Sequence, residues 1–417
     1  MFKKTLALLL IGSIATPALA LRDHWLDPDY QGTDISYSTG RLTRDDYNHD
    51  TFPAPRGAPL PRAEPHEYLL QPELLVNGNL TRGADTAFSK DGFSLGMMLI
   101  DHGHVIYERN EEGADTEYNG WSMSKSVTSL LVGEALCKGD IKSLDDTAGT
   151  YAPEIKDSTY GRATLRQLLS MTSGAPAPGD NPGGKQSGSS NGDHWEITRG
   201  MKGHVVFLNS RTQEADPQHP WVYDNLNIEA VELVLDHLKG THTYMVELLK
   251  NAGVTNESHW LQDRDGHANA AYGYGATLED WAKLAQYSLD VLKGRTNDKC
   301  MQKYMLAATT HVTQPQDVHI DHLFYFFGYG LGMWTHPYNY HGYAWMGNFG
   351  QKIFVDPKYE TILVIFRHRN NAKFADFLGN QFWHNWRMAH EPRPEDRESG
   401  NVIRSKVNVD FVEAPKK

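Results

Sequence analysis

Ser122 and Lys125 stand three residues apart in Trp121-Ser122-Met123-Ser124-Lys125-Ser126, at the head of a segment with apolar residues at helical spacing. On a helix, residues three apart share a face. A serine hydroxyl becomes a nucleophile when a neighbouring base takes its proton, and a desolvated lysine can be that base. A helix N-terminus adds free N–H groups and a positive dipole end beside the serine. Alone, the pattern is common, and an N-cap serine followed by a solvated lysine explains it as well. Two later stretches change the weighing. Trp221-Val222-Tyr223-Asp224-Asn225 sets a tyrosine and an asparagine two residues apart ahead of another helical segment. Such a tyrosine can share a proton with Lys125 and pass it to a leaving group. Trp345-Met346-Gly347-Asn348-Phe349-Gly350-Gln351 opens a late strand. Glycine there lets backbone approach a substrate, and an N–H can complete an oxyanion hole. Together these are the parts of acyl transfer.

The three stretches resemble the three motifs of the serine β-lactamase and penicillin-binding-protein superfamily. Ser122-Met123-Ser124-Lys125 resembles its S-x-x-K, and Tyr223-Asp224-Asn225 the Y-x-N of class C β-lactamases. Leu165-Arg166-Gln167-Leu168-Leu169-Ser170-Met171-Thr172-Ser173-Gly174 is similar to that family's L-R-x-L-L-x-x-T-S-G segment. Gly139-Asp140-Ile141 through Leu144-Asp145-Asp146 to Pro153-Glu154 resembles the stretch after its nucleophile helix. Gly347-Asn348-Phe349-Gly350-Gln351, running into Phe354-Val355-Asp356-Pro357, is most similar to the esterase and 6-aminohexanoate-dimer hydrolase branch. The resemblance spans roughly residues 90–385.

It implies an acyl-enzyme mechanism with no cofactor and no metal. Ser122 would be the nucleophile, Lys125 the general base and Tyr223 the proton relay, with the N–H groups of Ser122 and Asn348 as the oxyanion hole. Asn225, Trp345 and Gly347 fall at substrate-binding positions, Asn225 orienting either Lys125 or the substrate. A gapless match to class C enzymes would instead give the strand N–H to Trp345. Where β-lactamases carry Lys-Thr-Gly, this chain has Trp345-Met346-Gly347, with no lysine to grip a β-lactam carboxylate and His341 a little upstream. That favours hydrolysis of an amide or ester in a small molecule. The alternative is a penicillin-recognising binding or sensor module, or a β-lactamase. Nothing in Ala175–Asp193 matches the loops that select nylon-oligomer amides, so that substrate is not implied.

The elements that must position these residues follow from periodicity. Phe93–Ile100 and His104–Glu108 read as strands joined by a tight turn at Asp101-His102-Gly103. Residues 122–137 read as a helix ended by Gly139-Asp140, and Thr164–Met171 as a short one. Turn formers over Ala175–Asp193 predict a long loop. Helical spacing returns at 226–239 and 278–293. Phe349–Val355 and Thr361–Phe366 read as strands about a turn at Asp356-Pro357, and residues 371–388 as a last helix. Strands early and late with helices between predict an α+β, β-lactamase-like fold. Its antiparallel sheet would come from N- and C-terminal strands flanked by helices, with a mainly helical second lobe and a cleft between them.

Lys3, Lys4, the apolar run Thr5–Ala15 and Ala18-Leu19-Ala20 form a signal-peptide pattern over residues 1–20, which predicts a periplasmic or secreted protein. No later run is long and apolar enough to span a bilayer, so no stable membrane insertion is expected. Residues 21–85 read as an irregular N-terminal wrap, 86–390 as the hydrolase domain and 391–417 as a polar tail. A net charge of −12 disfavours a nucleic-acid partner. Oligomeric state leaves no mark. Cys137 and Cys300, the two cysteines, fit a disulfide and a pair of buried thiols equally well. The chain lacks the G-x-S-x-G of an α/β-hydrolase and any H-E-x-x-H; His319-Ile320-Asp321-His322 is the stretch that most invites a metal reading. The aromatic run Phe324–Phe327, with Tyr329, Trp334, Tyr338 and Tyr340, reads as core with one or two rings at most lining a cleft.

Overall fold

Three short strands, His49–Phe52 (β1), Leu74–Val76 (β2) and Asn79–Thr81 (β3), interrupt the N-terminal wrap that was predicted to be irregular. A helix, Ala84–Asp91 (α1), crosses the boundary set at residue 86. The structure is a computed structural model. It describes residues 48–64, 69, 74–76, 79–81, 83–91, 94–111, 113–175, 202–216, 221–310, 328–335, 342–367, 382–383, 386 and 409–410. The predicted signal peptide, nearly all of the loop predicted over Ala175–Asp193, His319–His322, Phe324–Phe327, Tyr338, Tyr340, His341, and most of the predicted last helix and tail lie outside the described residues.

The predicted early hairpin forms from Ser94–Asp101 (β4) and His104–Asn110 (β5). His102 and Gly103, the two turn residues, both have positive φ (47° and 79°), the geometry whose twist matches that of the strands. Glu117–Asn119 (β6) leads through a 3-10 turn, Trp121–Met123, into Ser124–Cys137 (α2). Every residue of α2 from Ser124 to Ala135 is buried, which makes it the central helix of the helical lobe. Ala148–Tyr151 (α3), Thr159–Arg162 (α4) and Leu165–Leu169 (α5) follow. A capping box starts α5, Thr164 and Gln167 each bonding the other's backbone N–H.

Then come His204–Asn209 (α6), Asn225–Leu238 (α7) and Thr241–Asn251 (α8), the strands Ser258–Leu261 (β7) and Tyr274–Thr277 (β8), and the helices Leu278–Leu292 (α9) and Lys299–Ala308 (α10). The chain closes with Gly328–Tyr329 (β9), Trp334–Thr335 (β10), Tyr343–Gly347 (β11), Gln351–Asp356 (β12), Thr361–Arg367 (β13) and Val409–Asp410 (β14). Early and late strands do share one antiparallel sheet, in the order β5-β4-β13-β12-β11-β10-β9. Both β12 and β13 are buried at every position, because α9 packs over them and the Phe354 ring stacks on Trp383. A four-stranded sheet, β1-β7-β8-β6, and a small one, β14-β2-β3, were not predicted. Their strands are too short to show a period of two.

Two readings are corrected or decided here. Trp345-Met346-Gly347 ends β11 rather than opening the next strand; Asn348–Gly350 is a 3-10 turn, and β12 starts at Gln351. Cys137 and Cys300 form a disulfide that ties the end of α2 to the start of α10. Closing so long a loop is worth about 5 kcal/mol on the chain-entropy model.

Candidate active site

Trp121 has a φ of +50°, a conformation costing a bulky residue roughly 1–3 kcal/mol. Its N–H is held by Asn119 Oδ1 at 2.9 Å, and the Gly120 N–H by the Tyr274 carbonyl at 2.9 Å. This strained turn delivers Ser122, partly exposed, to the head of α2. The other serines of the stretch are engaged inside. Ser124 Oγ accepts the Tyr274 N–H, and Ser126 Oγ donates to the Gly332 carbonyl.

Lys125 is 1% exposed, and its Nζ lies 2.8 Å from Ser122 Oγ, 2.7 Å from Asn225 Oδ1 and 2.8 Å from the Ala271 carbonyl. Burial pushes its pKa down to about 7, against the opposing pull of Glu229 and Asp224. A neutral amine has two N–H donors and one lone pair. Two neighbours, Asn225 Oδ1 and the Ala271 carbonyl, are pure acceptors, so the lone pair is left for the Ser122 hydroxyl. That is the arrangement of a base.

Tyr223 lies beneath the same nitrogen, its ring centroid 4.9 Å from Nζ. Burial raises its phenol to about 12, against a hydrogen bond with Ser122, so near neutral pH it is a proton donor. Asp224 caps α7 through the Leu226 N–H (3.1 Å) and accepts the Tyr160 hydroxyl at 2.5 Å. Those bonds fix the residues on either side of it. Trp221, Tyr223, Tyr329 and Trp334 form one ring cluster with centroids 5.1–6.2 Å apart. Tyr329 and Trp334, expected mainly in the core, are indeed buried, yet they also wall the site.

Gly347 reaches the site from the sheet. A Cβ there would lie 2.1 Å from the Gly120 carbonyl oxygen, so only glycine lets β11 come this close to the Ser122 turn. Asn348 follows, exposed. Trp345 is fully buried in the sheet, so its indole is not offered to a substrate. Ser122, Lys125, Tyr223 and Asn225 are thus brought together, with Gly347 against the turn that carries Ser122.

Two features escaped the sequence reading. The Ala271 carbonyl is a backbone atom and leaves no residue-type signal. Behind Lys125, α7 turns Glu229 and Glu232 inward, both at most 1% exposed; acids spaced three apart on a helix ordinarily mark a solvated face. The ligand atoms of Glu232, Asp236 and His267 lie within 4.8 Å of one another, a spacing a cation would fit. Ion pairing among them accounts for the group: Asp236 and Glu232 raise His267 to about 9, even against its burial.

A family model described as Beta-lactamase matches residues 84–383. The chain belongs to the beta-lactamase family. Solved structures agree on the fold. A protein from Bacillus anthracis described as a 6-aminohexanoate-dimer hydrolase superposes with a TM-score of 0.69 at 19% identity, covering 88% of this chain and 97% of that one. A penicillin binding protein from Bacillus halodurans gives 0.54 at 17% identity, over 72% and 99% of the two chains. EstCE1, a hydrolase with promiscuous acyltransferase activity, gives 0.52 at 15%, over 72% and 99%. No curated protein matches the chain. Beta-lactamase-family architecture therefore carries the site, with this family's sheet and helical lobe on either side of Ser122.

Proposed function

We propose that the protein is an exported serine hydrolase that cleaves an amide or ester bond through an acyl-enzyme. One observation carries the reading: the Nζ of a buried Lys125, its pKa near neutrality, lies 2.8 Å from the Oγ of a partly exposed Ser122. Ser122 Oγ attacks the substrate carbonyl as Lys125 takes its proton. The N–H groups of Ser122 and Asn348 hold the oxyanion; the approach of Gly347 to Gly120 supports Asn348 over Trp345 for the strand N–H. Tyr223 gives a proton to the departing amine or alcohol. Water then attacks the acyl-serine ester, releasing the acid and restoring Ser122. Asn225 accepts from Nζ, which supports its orienting the base over the substrate.

The substrate reading rests on the third motif, Trp345-Met346-Gly347, where no cation stands to hold a β-lactam carboxylate. A charged hydrogen bond of that kind is worth ~1.5–3 kcal/mol, so its loss costs roughly ten- to a hundredfold in kcat/KM. Similarity to a protein described as a 6-aminohexanoate-dimer hydrolase and to the hydrolase EstCE1 supports the same choice. Export is supported by the residue 1–20 pattern and by a disulfide, which persists in oxidising compartments; N-terminal sequencing after bacterial expression should begin at Leu21. The deciding test is intact-mass detection of a fluorophosphonate adduct on Ser122, then turnover of p-nitrophenyl esters, linear amides and nitrocefin. Esters or amides should be cleaved and nitrocefin poorly or not at all. Labelling at another residue, or nitrocefin as the best substrate, refutes the reading.

A further inference from the structure

Glu229 is fully buried on α7 and never reaches the cleft. Its carboxylate accepts the N–H groups of Ala270 (2.8 Å) and Ala271 (3.3 Å). The carbonyl of that same Ala271 accepts Lys125 Nζ at 2.8 Å, and the Ala270 carbonyl accepts Thr128 Oγ1 of α2 at 3.2 Å. Glu229 of α7 and Lys125 of α2 therefore hold the same residue, Ala271, from its two ends, the carboxylate at its N–H and the amine at its carbonyl. We propose that Glu229 is a positioning residue, which fixes the Ala271 carbonyl against Lys125 and so sets where the amine sits and how readily it takes the Ser122 proton. The inference rests on Lys125 being the base of Ser122.

An acid is costly in this place. Burial and the neighbouring Glu232 push its carboxyl well above the usual range, while the two N–H bonds and Lys125 pull it back. From α6, His204 Nε2 faces it at 3.7 Å, with Asp263 behind at 3.4 Å from the other ring nitrogen. Burial holds His204 down to about 4, so near neutral pH it brings no positive charge. Lys125 itself is faced by Glu229 and by Asp224, the N-cap of α7, both of which favour its ammonium form, and by the Tyr223 ring. Two N–H donors aimed at one side chain call for two acceptor oxygens. Glutamine would turn an amide N–H toward one of them.

Glu229→Gln should lower kcat by about ten- to a hundredfold, the cost of a misplaced catalytic group, with KM within about threefold. One of the two charges that favour the ammonium is removed, so the acid limb of the kcat/KM profile should move to lower pH. Glu229→Asp keeps the carboxyl and its two oxygens but draws them back by one methylene. Its kcat should fall less, with the acid limb left in place. A purely structural role predicts otherwise: both variants would lose melting temperature and titratable active sites alike, with kcat per active site and its pH limb unchanged. That result overturns the inference. If the glutamine variant does not fold, a wild-type kcat per active site in the aspartate variant overturns it equally.

A second readout needs no substrate. In protein labelled with ¹³Cε-lysine, the Lys125 resonance, assigned by its loss in Lys125→Met, should titrate at lower pH in Glu229→Gln than in the wild type. An unshifted titration overturns the inference. A shifted titration in a protein with no ester or amide turnover upholds it and refutes the hydrolase reading instead.

Discussion

Lys125 and His267 both rest against α7, Lys125 at its first turn and His267 beside Glu232 and Asp236 further along. Lys125 is fully buried and His267 partly so, and they move in opposite directions: Lys125 down to about 7, His267 up to about 9. Burial opposes the charged form in both. The difference lies in what touches the nitrogen. Lys125 has a hydroxyl, an amide oxygen and a peptide carbonyl within 2.8 Å, all neutral. His267 Nδ1 has the Asp236 carboxylate at 3.2 Å and Glu232 at 4.0 Å. Where carboxylates stand back and dipoles come close, a buried base is left able to lose its proton. One neighbourhood suits catalysis and the other suits cohesion.

The largest test of that contrast exchanges each base for an uncharged side chain. Lys125→Met should slow fluorophosphonate acylation of Ser122 by a factor on the order of 10⁴. His267→Gln should stay within about threefold of wild type, because its group holds the fold together and takes no part at Ser122. Comparable losses in both variants would break the comparison.

The second test is the pH dependence of turnover. Below the Lys125 pKa the base is protonated, so kcat/KM should rise about tenfold per pH unit and level off above pH about 7. Tyr223, held up to about 12, adds no limb in the accessible range. A rising limb centred near pH 9 would assign the reaction to another base.

The smallest effect is on stability, and its sign separates the two groups. Lys125 titrates near 7 when folded and near ~10.4 when unfolded. Between those values the unfolded chain holds the extra proton, so this group makes stability rise with pH. His267 titrates near 9 when folded and near ~6.5 when unfolded. Its contribution is complete below pH ~6.5 and is lost as pH rises through 9. From pH 7 to 9 the two slopes oppose. Urea unfolding at pH 7, 8 and 9 should therefore show Lys125→Met losing stability more steeply than wild type, and His267→Gln less steeply. The same slope in all three proteins would remove the basis of the contrast.

The sequence carried these two neighbourhoods unequally. The grouping of Ser122, Lys125, Tyr223 and Asn225 was legible because the proposed acyl transfer demands particular residue types at fixed spacing from helix starts. The β4–β5 hairpin and its pairing with the late strands were legible for a similar reason, since long apolar runs and the His102-Gly103 turn have local signatures. What α7 buries was not. Glu229 and Glu232 look solvated in a lone sequence, and three of their partners are the backbone N–H groups of Ala268, Ala270 and Ala271, which any residue type but proline could supply. The Cys137–Cys300 pairing was undecidable for want of a distance across a separation of 163 residues. The β11 boundary was misplaced because the glycines of Gly347–Gly350 suit a strand opening and a hairpin turn alike.

At Gly347 two stretches of main chain meet with no side chain between them. An added Cβ would strike the Gly120 carbonyl on one side, and a Cβ on Gly120 would strike the Trp281 ring at 2.3 Å on the other. The gap beside Ser122 is consequently a gauge machined from peptide groups, and mutation has no small step by which to widen or narrow it. Descendants of this chain can change what they accept by altering the residues about that gap, the exposed Asn348 among them, while its width is inherited whole. A mutant library built to shift substrate range would waste every clone that alters residue 120 or 347.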